Sequence, residues 1–320
     1  MKIFDAHCDT GYKLWKKGIS LYKNKGHCDI ERMLKFGAFS QFFAVCAKTF
    51  SEADAIIDKF YEEVRLNEPY IQICKSYNDI LEAEKQHKIA AFLTLEGAAP
   101  LKGNIENLYY FYEKGVRLIT LTWNDKNELG CGSFRALEHQ ETERGLTPFG
   151  IEVVHKMNEL GIIIDVSHLS DEGFHDVLEY SAKPFMASHS NARGICNNAR
   201  NLTDDMIVKI AERKGFIGIN LNPPFITMYE TANIDKLMLH IEHIAALAGE
   251  NRIGLGCDFD GIDSTPEDIK DVSDIYKIIN RLAQLNYSPG SIDNFSYKNL
   301  MDFVKNYAIT LKKRTKEISE

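Results

Sequence analysis

Eight short apolar runs, separated by longer stretches of helical periodicity, set what this chain can fold into. They are Lys2–Ala6, Ser40–Ala47, Ile89–Leu95, Val116–Thr122, Ile162–Val166, Pro184–Ser188, Phe216–Asn220 and Ile253–Cys257. Most are continuously apolar rather than alternating, which is the pattern of parallel strands buried on both faces. Between them, Ser51 to Asp54 reads as a capping box opening a helix that continues toward Ser76. Ile105–Lys114 stops at Gly115, Pro148–Leu160 follows Thr147 and stops at Gly161, and Ser170–Tyr180 is short. Asp204–Lys214 ends at Gly215 and Ile234–Ala248 at Gly249. The expected fold is therefore α/β, a (β/α)8 TIM barrel of the metal-dependent hydrolase type. A doubly wound open sheet is the alternative, but no GxGxxG follows any strand. We expect one catalytic domain over residues 1–320, with C-terminal helices from Pro266 onward packed outside the barrel.

A length of 320 residues alone would suggest about two domains, but one barrel with insertions also fits. With 44% hydrophobic and 26% charged residues, the chain is neither disordered, collagenous nor a coiled coil. The net charge of −8 argues against a nucleic-acid partner. No apolar run is long enough to cross a membrane, and no charged-then-apolar leader pattern opens the sequence. The seven cysteines are scattered and form no CxxC, so neither a disulfide scaffold nor a zinc ribbon is expected. A reduced, cytoplasmic protein is the expectation.

Five strand ends carry residues of metal-binding type. Strand one runs into His7-Cys-Asp9, strand three into Glu96, strand five into His168, strand six into His189, and strand eight into Asp258-Phe-Asp260. In a barrel these ends converge on one rim. His7 and Asp9 are two apart, so on extended chain they point the same way and can share a cation. The ligand set is then His7, Asp9, Glu96, His168 and His189. Nitrogen and carboxylate donors suit zinc first, with manganese, iron or cobalt also compatible. Five such ligands exceed what one open catalytic zinc needs and suffice for two divalent ions if a carboxylate bridges. Glu96 is the expected bridge, because the small Gly97-Ala-Ala that follows leaves room.

Other features take structural readings. His240 and His243 lie three apart but fall mid-helix on the outer ring. Cys8 and Cys257 read as small buried fillers. The basic run at 312–316 reads as a solvated face. The polar segments Asn124–Leu146 and Asn222–Asn233 follow strands four and seven, where barrel loops carry function.

Taken in order, several stretches resemble the membrane (renal) dipeptidase family of zinc peptidases, including its bacterial cytoplasmic members. They are Asp5-Ala-His-Cys-Asp-Thr, Leu95-Glu-Gly-Ala, Gly115-Val-Arg-Leu-Ile-Thr-Leu-Thr-Trp-Asn and Gly145-Leu-Thr-Pro-Phe-Gly. Ile164-Asp-Val-Ser-His-Leu-Ser, Ala187-Ser-His-Ser-Asn-Ala-Arg, Arg200-Asn-Leu-Thr-Asp-Asp and Ile253-Gly-Leu-Gly-Cys-Asp-Phe-Asp-Gly complete them. The resemblance implies a (β/α)8 barrel with two zinc ions. It places the first metal on His7 and Asp9, the bridge on Glu96 and the second metal on His168 and His189. It also implies a catalytic aspartate at Asp258 and a substrate-binding arginine at Arg200. The implied reaction is hydrolysis of a dipeptide, including L,D-dipeptides, by hydroxide generated at a cation pair. Family members also suggest a homodimer.

One departure stands out. Animal members carry a substrate-contacting histidine after strand four, where this chain has Trp123 followed by Asn124. An indole only donates and does no acid–base work. We expect Trp123 and Asn124 to line the substrate pocket. Two other readings stay open. One is a different amide, lactam or N-acyl amino acid hydrolase on the same metals. The other, from a different class, is a non-catalytic metal- or peptide-binding barrel, against which Asp258 and Arg200 together speak.

Overall fold

The computed structural model describes residues 1–133 and 145–307. Its strands are β1 (Lys2–Cys8), β2 (Ala38–Cys46), β3 (Ile71–Ile73), β4 (Ile89–Glu96), β5 (Val116–Thr120), β6 (Ile163–Asp165), β7 (Met186–Ala187), β8 (Phe216–Ile219) and β9 (Ile253–Leu255). All pair in parallel, in the order β2-β1-β9-β8-β7-β6-β5-β4, and β4 returns to β2 to close the ring. The (β/α)8 barrel expected from the apolar runs is therefore what forms. The closing ladder runs from Ser40 beside Ala90 up to Cys46 beside Glu96.

Strand β3 was not expected. The helix read as running toward Ser76 ends at Leu66, and a new helix, Tyr77–Lys85, starts under a Ser76 cap. Between them Ile71-Gln-Ile pairs with Ile89–Ala91 at the lower edge of β4. Pro69 restricts the residue before it and blocks helix continuation. A three-residue strand is too short to show a period. The expected capping box is also displaced. Thr49 Oγ1 accepts from the Glu52 amide at 3.2 Å, and Glu52 accepts from the Lys48 amide at 3.0 Å. The box thus spans Thr49–Glu52, two residues earlier than Ser51–Asp54.

Four further helices start where a hydroxyl or amide side chain takes an orphan backbone donor. Thr147, Ser170, Thr203 and Asn233 cap Pro148–Leu160, Asp171–Tyr180, Asp204–Glu212 and Ile234–Ala248. These caps fix where each chain segment leaves the rim.

The lower interior is aromatic. Phe4 stacks on Phe42 with ring centroids 5.5 Å apart, and Phe42 meets Phe92 at 4.9 Å. Tyr297, Leu300, Met301, Phe303, Val304 and Tyr307 join the same apolar cluster. Tyr307 Oη donates to the Ile162 carbonyl at 2.7 Å. The helical turns up to residue 307 thus cover the lower mouth, whereas helix Ile275–Gln284 packs against Ile234–Ala248 in the outer ring. The basic run at 312–316 lies outside the described residues.

The upper interior is narrow instead. A Cβ on Gly256 would lie 1.9 Å from the Ser188 carbonyl oxygen, and one on Gly218 2.0 Å from it. Only glycine lets these strand ends approach this closely.

Truncating the mouth-covering cluster tests this packing. Phe303→Ala should cost about 3–5 kcal/mol of unfolding free energy, as for other buried aromatics. Urea denaturation followed by circular dichroism measures it. A loss well under 1 kcal/mol would show that this helix is only loosely applied.

Candidate metal centre

His7 lies near the end of β1, Asp9 follows that strand, and Asp258 follows β9. Two backbone bonds zip these tails together: the Asp9 amide donates to Phe259 O at 2.9 Å and the Asp258 amide to His7 O at 3.1 Å. Glu96 ends β4. His168 and His189 follow β6 and β7. Three of the residues here, His168, Asp258 and Asp260, hold positive φ of 69°, 60° and 71°. Non-glycine residues adopt this region at a cost, and such strain clusters at functional sites.

The side chains meet around Glu96. Its Oε1 lies 3.0 Å from His168 Nε2, 3.6 Å from His189 Nε2 and 3.7 Å from His7 Nε2. His7 Nε2 is also 3.2 Å from Asp9 Oδ2 and 3.8 Å from Asp258 Oδ1. Two groups of potential ligands overlap at His7, His7–Glu96–His189 and His7–Asp9–Asp258, and a third joins Asp9 and Glu96 to Cys46. All five expected ligands and Asp258 are therefore brought together at one end of the barrel.

The surroundings fix the state of two imidazoles. His189 Nδ1 lies 2.6 Å from Ser188 Oγ, which itself donates to Asp165 Oδ2 at 2.6 Å. Ser188 Oγ must therefore accept from His189 Nδ1. His168 Nδ1 lies 2.8 Å from Asn124 Oδ1, which can only accept. Both rings thus turn a bare Nε2 inward, and these two nitrogens are 2.9 Å apart. Burial, reinforced by Arg200 and the neighbouring imidazoles, holds both rings well below the usual histidine range, in the neutral form that binds metals. Lone pairs facing each other and a carboxylate at this range repel, and a cation between them removes the repulsion.

The carboxylates give the complementary signal. Burial pushes Glu96 well up, and the charges of Asp9 and Asp258 push it further. Asp258 rises to about 7, chiefly by burial, with His7, Asn220 and Arg200 opposing. His7 rises despite its burial, because Glu96, Asp9 and Asp258 surround it. Asp9 Oδ1 is buried with no hydrogen-bond partner among the described residues. A Cβ on Gly261 would fall 2.2 Å from Asp9 Oδ2 and 2.4 Å from Asp258 Oδ1. The donor set, the orphaned oxygen and the space kept by Gly261 all fit divalent cations.

Above these groups opens a cleft of about 580 Å³. Asp9, Glu96, His168 and Asp258 reach it from below, and Tyr12, Lys48, Trp123 and Phe225 form walls. Trp123 is 37% exposed there, with the Lys48 ammonium 6.0 Å from its ring. Asn124 also lines the cleft, while its side chain holds His168. Arg200 is placed differently. It is buried behind the histidines against Phe225, outside the cleft lining. Among the described residues its guanidinium makes only long contacts, 3.3 Å to His189 O and 3.5 Å to Ser190 Oγ, and its Nε has no partner. Residues 134–144 of the loop after β5 lie outside the described residues.

Sequence reasoning missed several contributors. Asn220 donates to Asp258 Oδ2 at 2.9 Å. Asp165 anchors Ser188 from inside an apolar strand, where an isolated acid was itself the available signal. Cys46, at the end of β2, groups with Asp9 and Glu96. His240 and His243 behave as expected: His240 accepts from the Ala192 amide and pairs with Ile226 O, and His243 pairs with Asp204.

The chain matches the membrane dipeptidase family (peptidase family M19) over residues 1–318. An uncharacterized dipeptidase of Schizosaccharomyces pombe is 36% identical over 218 residues, 68% of this chain and 53% of that protein. Human Dipeptidase 3 is 29% identical over 86% of this chain and 57% of its own length. The matched regions thus span little more than half of these curated relatives. Among solved structures, dipeptidase AC, a family M19 metallopeptidase, superposes with a TM-score of 0.89 at 25% identity, covering 95% of this chain and 98% of its own. A Rhodobacter sphaeroides metallopeptidase bound to a phosphinate mimic of L-Ala-D-Ala gives 0.88 at 23% identity, covering 95% and 99%.

Removing the Asn124 carbonyl frees His168 to take the other tautomer. Asn124→Ala should weaken metal binding by about 10- to 100-fold, the usual effect of losing such a partner. Titration of the apoprotein with zinc measures it, and an unchanged affinity would remove Asn124 from this role.

Proposed function

This chain belongs to the membrane dipeptidase family, and from that membership and the geometry above we propose that it is a metal-dependent dipeptidase. The observation that carries the reading is the pair of inward-facing imidazole nitrogens 2.9 Å apart over the Glu96 carboxylate, beside Asp258. His7 and Asp9 would hold one cation and His168 and His189 the other, with Glu96 as the carboxylate available to both. Zinc is the first choice for this nitrogen–oxygen donor set. When bound, the two ions supply hydroxide at neutral pH and polarise the scissile carbonyl.

The chain's own residues do the rest. Asn220 pins Asp258 Oδ2, leaving Oδ1 free on the His7 side. Asp258 accepts the proton of the attacking water and delivers it to the leaving amine. Arg200 lies behind the histidines, outside the cleft lining, and its buried, underused donors would have to turn toward the cleft to meet the substrate's free carboxylate. Burial against Phe225 lowers it only to about 10, so it stays charged at neutral pH. Trp123 and Asn124 border the substrate's side chains at the cleft. A cleft of this volume suits dipeptides rather than proteins. The L-Ala-D-Ala mimic bound by the Rhodobacter relative supports a D-residue at the carboxyl end.

Purified protein reconstituted with zinc or manganese should release amino acids from a panel of L,L- and L,D-dipeptides. It should act far more slowly on N-acyl amino acids, and a chelator should abolish release. Release from N-acyl substrates alone would point to a different amide hydrolase, and no release at all to a binding protein.

Asp258→Asn should keep its metal and its fold but lose about 100- to 10,000-fold in kcat, the range of general acid–base catalysis. The base works ionised, so kcat/KM should fall as pH drops through its pKa. Bound cations lower that pKa from about 7, which sets the acid limb at or below neutrality. An acid limb that survives unchanged in Asp258→Asn would assign it to another group.

A further inference from the structure

The β2–β4 ladder ends with Cys46 directly beside Glu96. Cys46 lines the cleft together with Asp9 and Glu96. Its Sγ and one oxygen from each carboxylate lie within 4.8 Å of one another. Asp9 is 5% exposed, and its Oδ1 has no hydrogen-bond partner. A thiol at this point can serve as a cation ligand, because a coordinating thiol is deprotonated outright. No other cysteine joins a group of potential ligands among the described residues. Cys8, Cys28, Cys74, Cys131, Cys196 and Cys257 are all buried.

We infer that Cys46 is a thiolate ligand of the cation shared by Asp9 and Glu96. On binding, the S–H bond breaks, the sulfur lone pair is donated to the cation, and the proton leaves to solvent. The oxidation state of sulfur and metal is unchanged. One of the two positions then has a mixed nitrogen, oxygen and sulfur donor set, and it prefers softer zinc to manganese or magnesium. This inference rests on the metal-centre reading above.

The test loads the protein with cobalt(II) and records its near-ultraviolet spectrum. A thiolate-to-cobalt charge-transfer band is expected in the wild-type protein. It should disappear in Cys46→Ser and in Cys46→Ala, with folding checked by circular dichroism. Zinc affinity should drop about 10- to 100-fold in both variants, with manganese affinity little changed. Cobalt retained without the band, or a band that persists in both variants, overturns the role of Cys46 alone. Failure to retain cobalt at all overturns the metal-centre reading itself.

Discussion

The carboxylate of Asp165 holds the upper rim in order. It accepts from Thr120 Oγ1 at 2.7 Å, the Ser167 amide at 3.0 Å, and the Ser188 amide and hydroxyl at 2.8 and 2.6 Å. Strands β5, β6 and β7 are thereby tied at one buried point. Because Ser188 Oγ spends its proton on Asp165, it can only accept from His189, and the ring is locked with its distal nitrogen bare. A charge that orders a neighbour's tautomer in this way acts on the site without touching it. Asp260 plays a comparable part below the β9 tail. Burial would raise its carboxyl, but the His27 amide, Lys13 and Thr10 outweigh that and hold it below the usual range.

The barrel separates two kinds of packing along its axis. Its lower half is filled by aromatic rings and closed by the helical turns described up to residue 307. Its upper half is narrowed by Gly218 and Gly256 and lined with ionisable groups. Stability is concentrated where nothing reacts, which lets the rim tolerate three left-handed non-glycine residues and a crowd of buried acids.

Much of this was legible in the chain. The eight barrel strands stood out because burial on both faces leaves continuous apolar runs, and Thr147 and Gly161 bounded their helix in the sequence as they do in the structure. His7, Asp9, Glu96, His168 and His189 were legible because the barrel sends every strand end to one rim, so residue type and position sufficed. Strand β3 was hidden by its length, and the Thr49 cap by a competing Ser51. The role of Asn124 depends on which atom meets which across the loop, and no periodicity carries that. Cys46 was passed over because a cysteine ending an apolar run looks like core until the closing ladder sets it beside Glu96.

The aromatic plug has a consequence for how the molecule is made. Phe4 comes from the first strand, yet its ring packs against Tyr297, 6.3 Å away. β1 cannot be flanked on both sides until β9 has been synthesised. While the ribosome is still working, the nascent chain therefore holds an unfilled ring of phenylalanines whose last partners arrive almost three hundred residues later. The plug is therefore completed late, and until then those rings are surface that other apolar segments can meet.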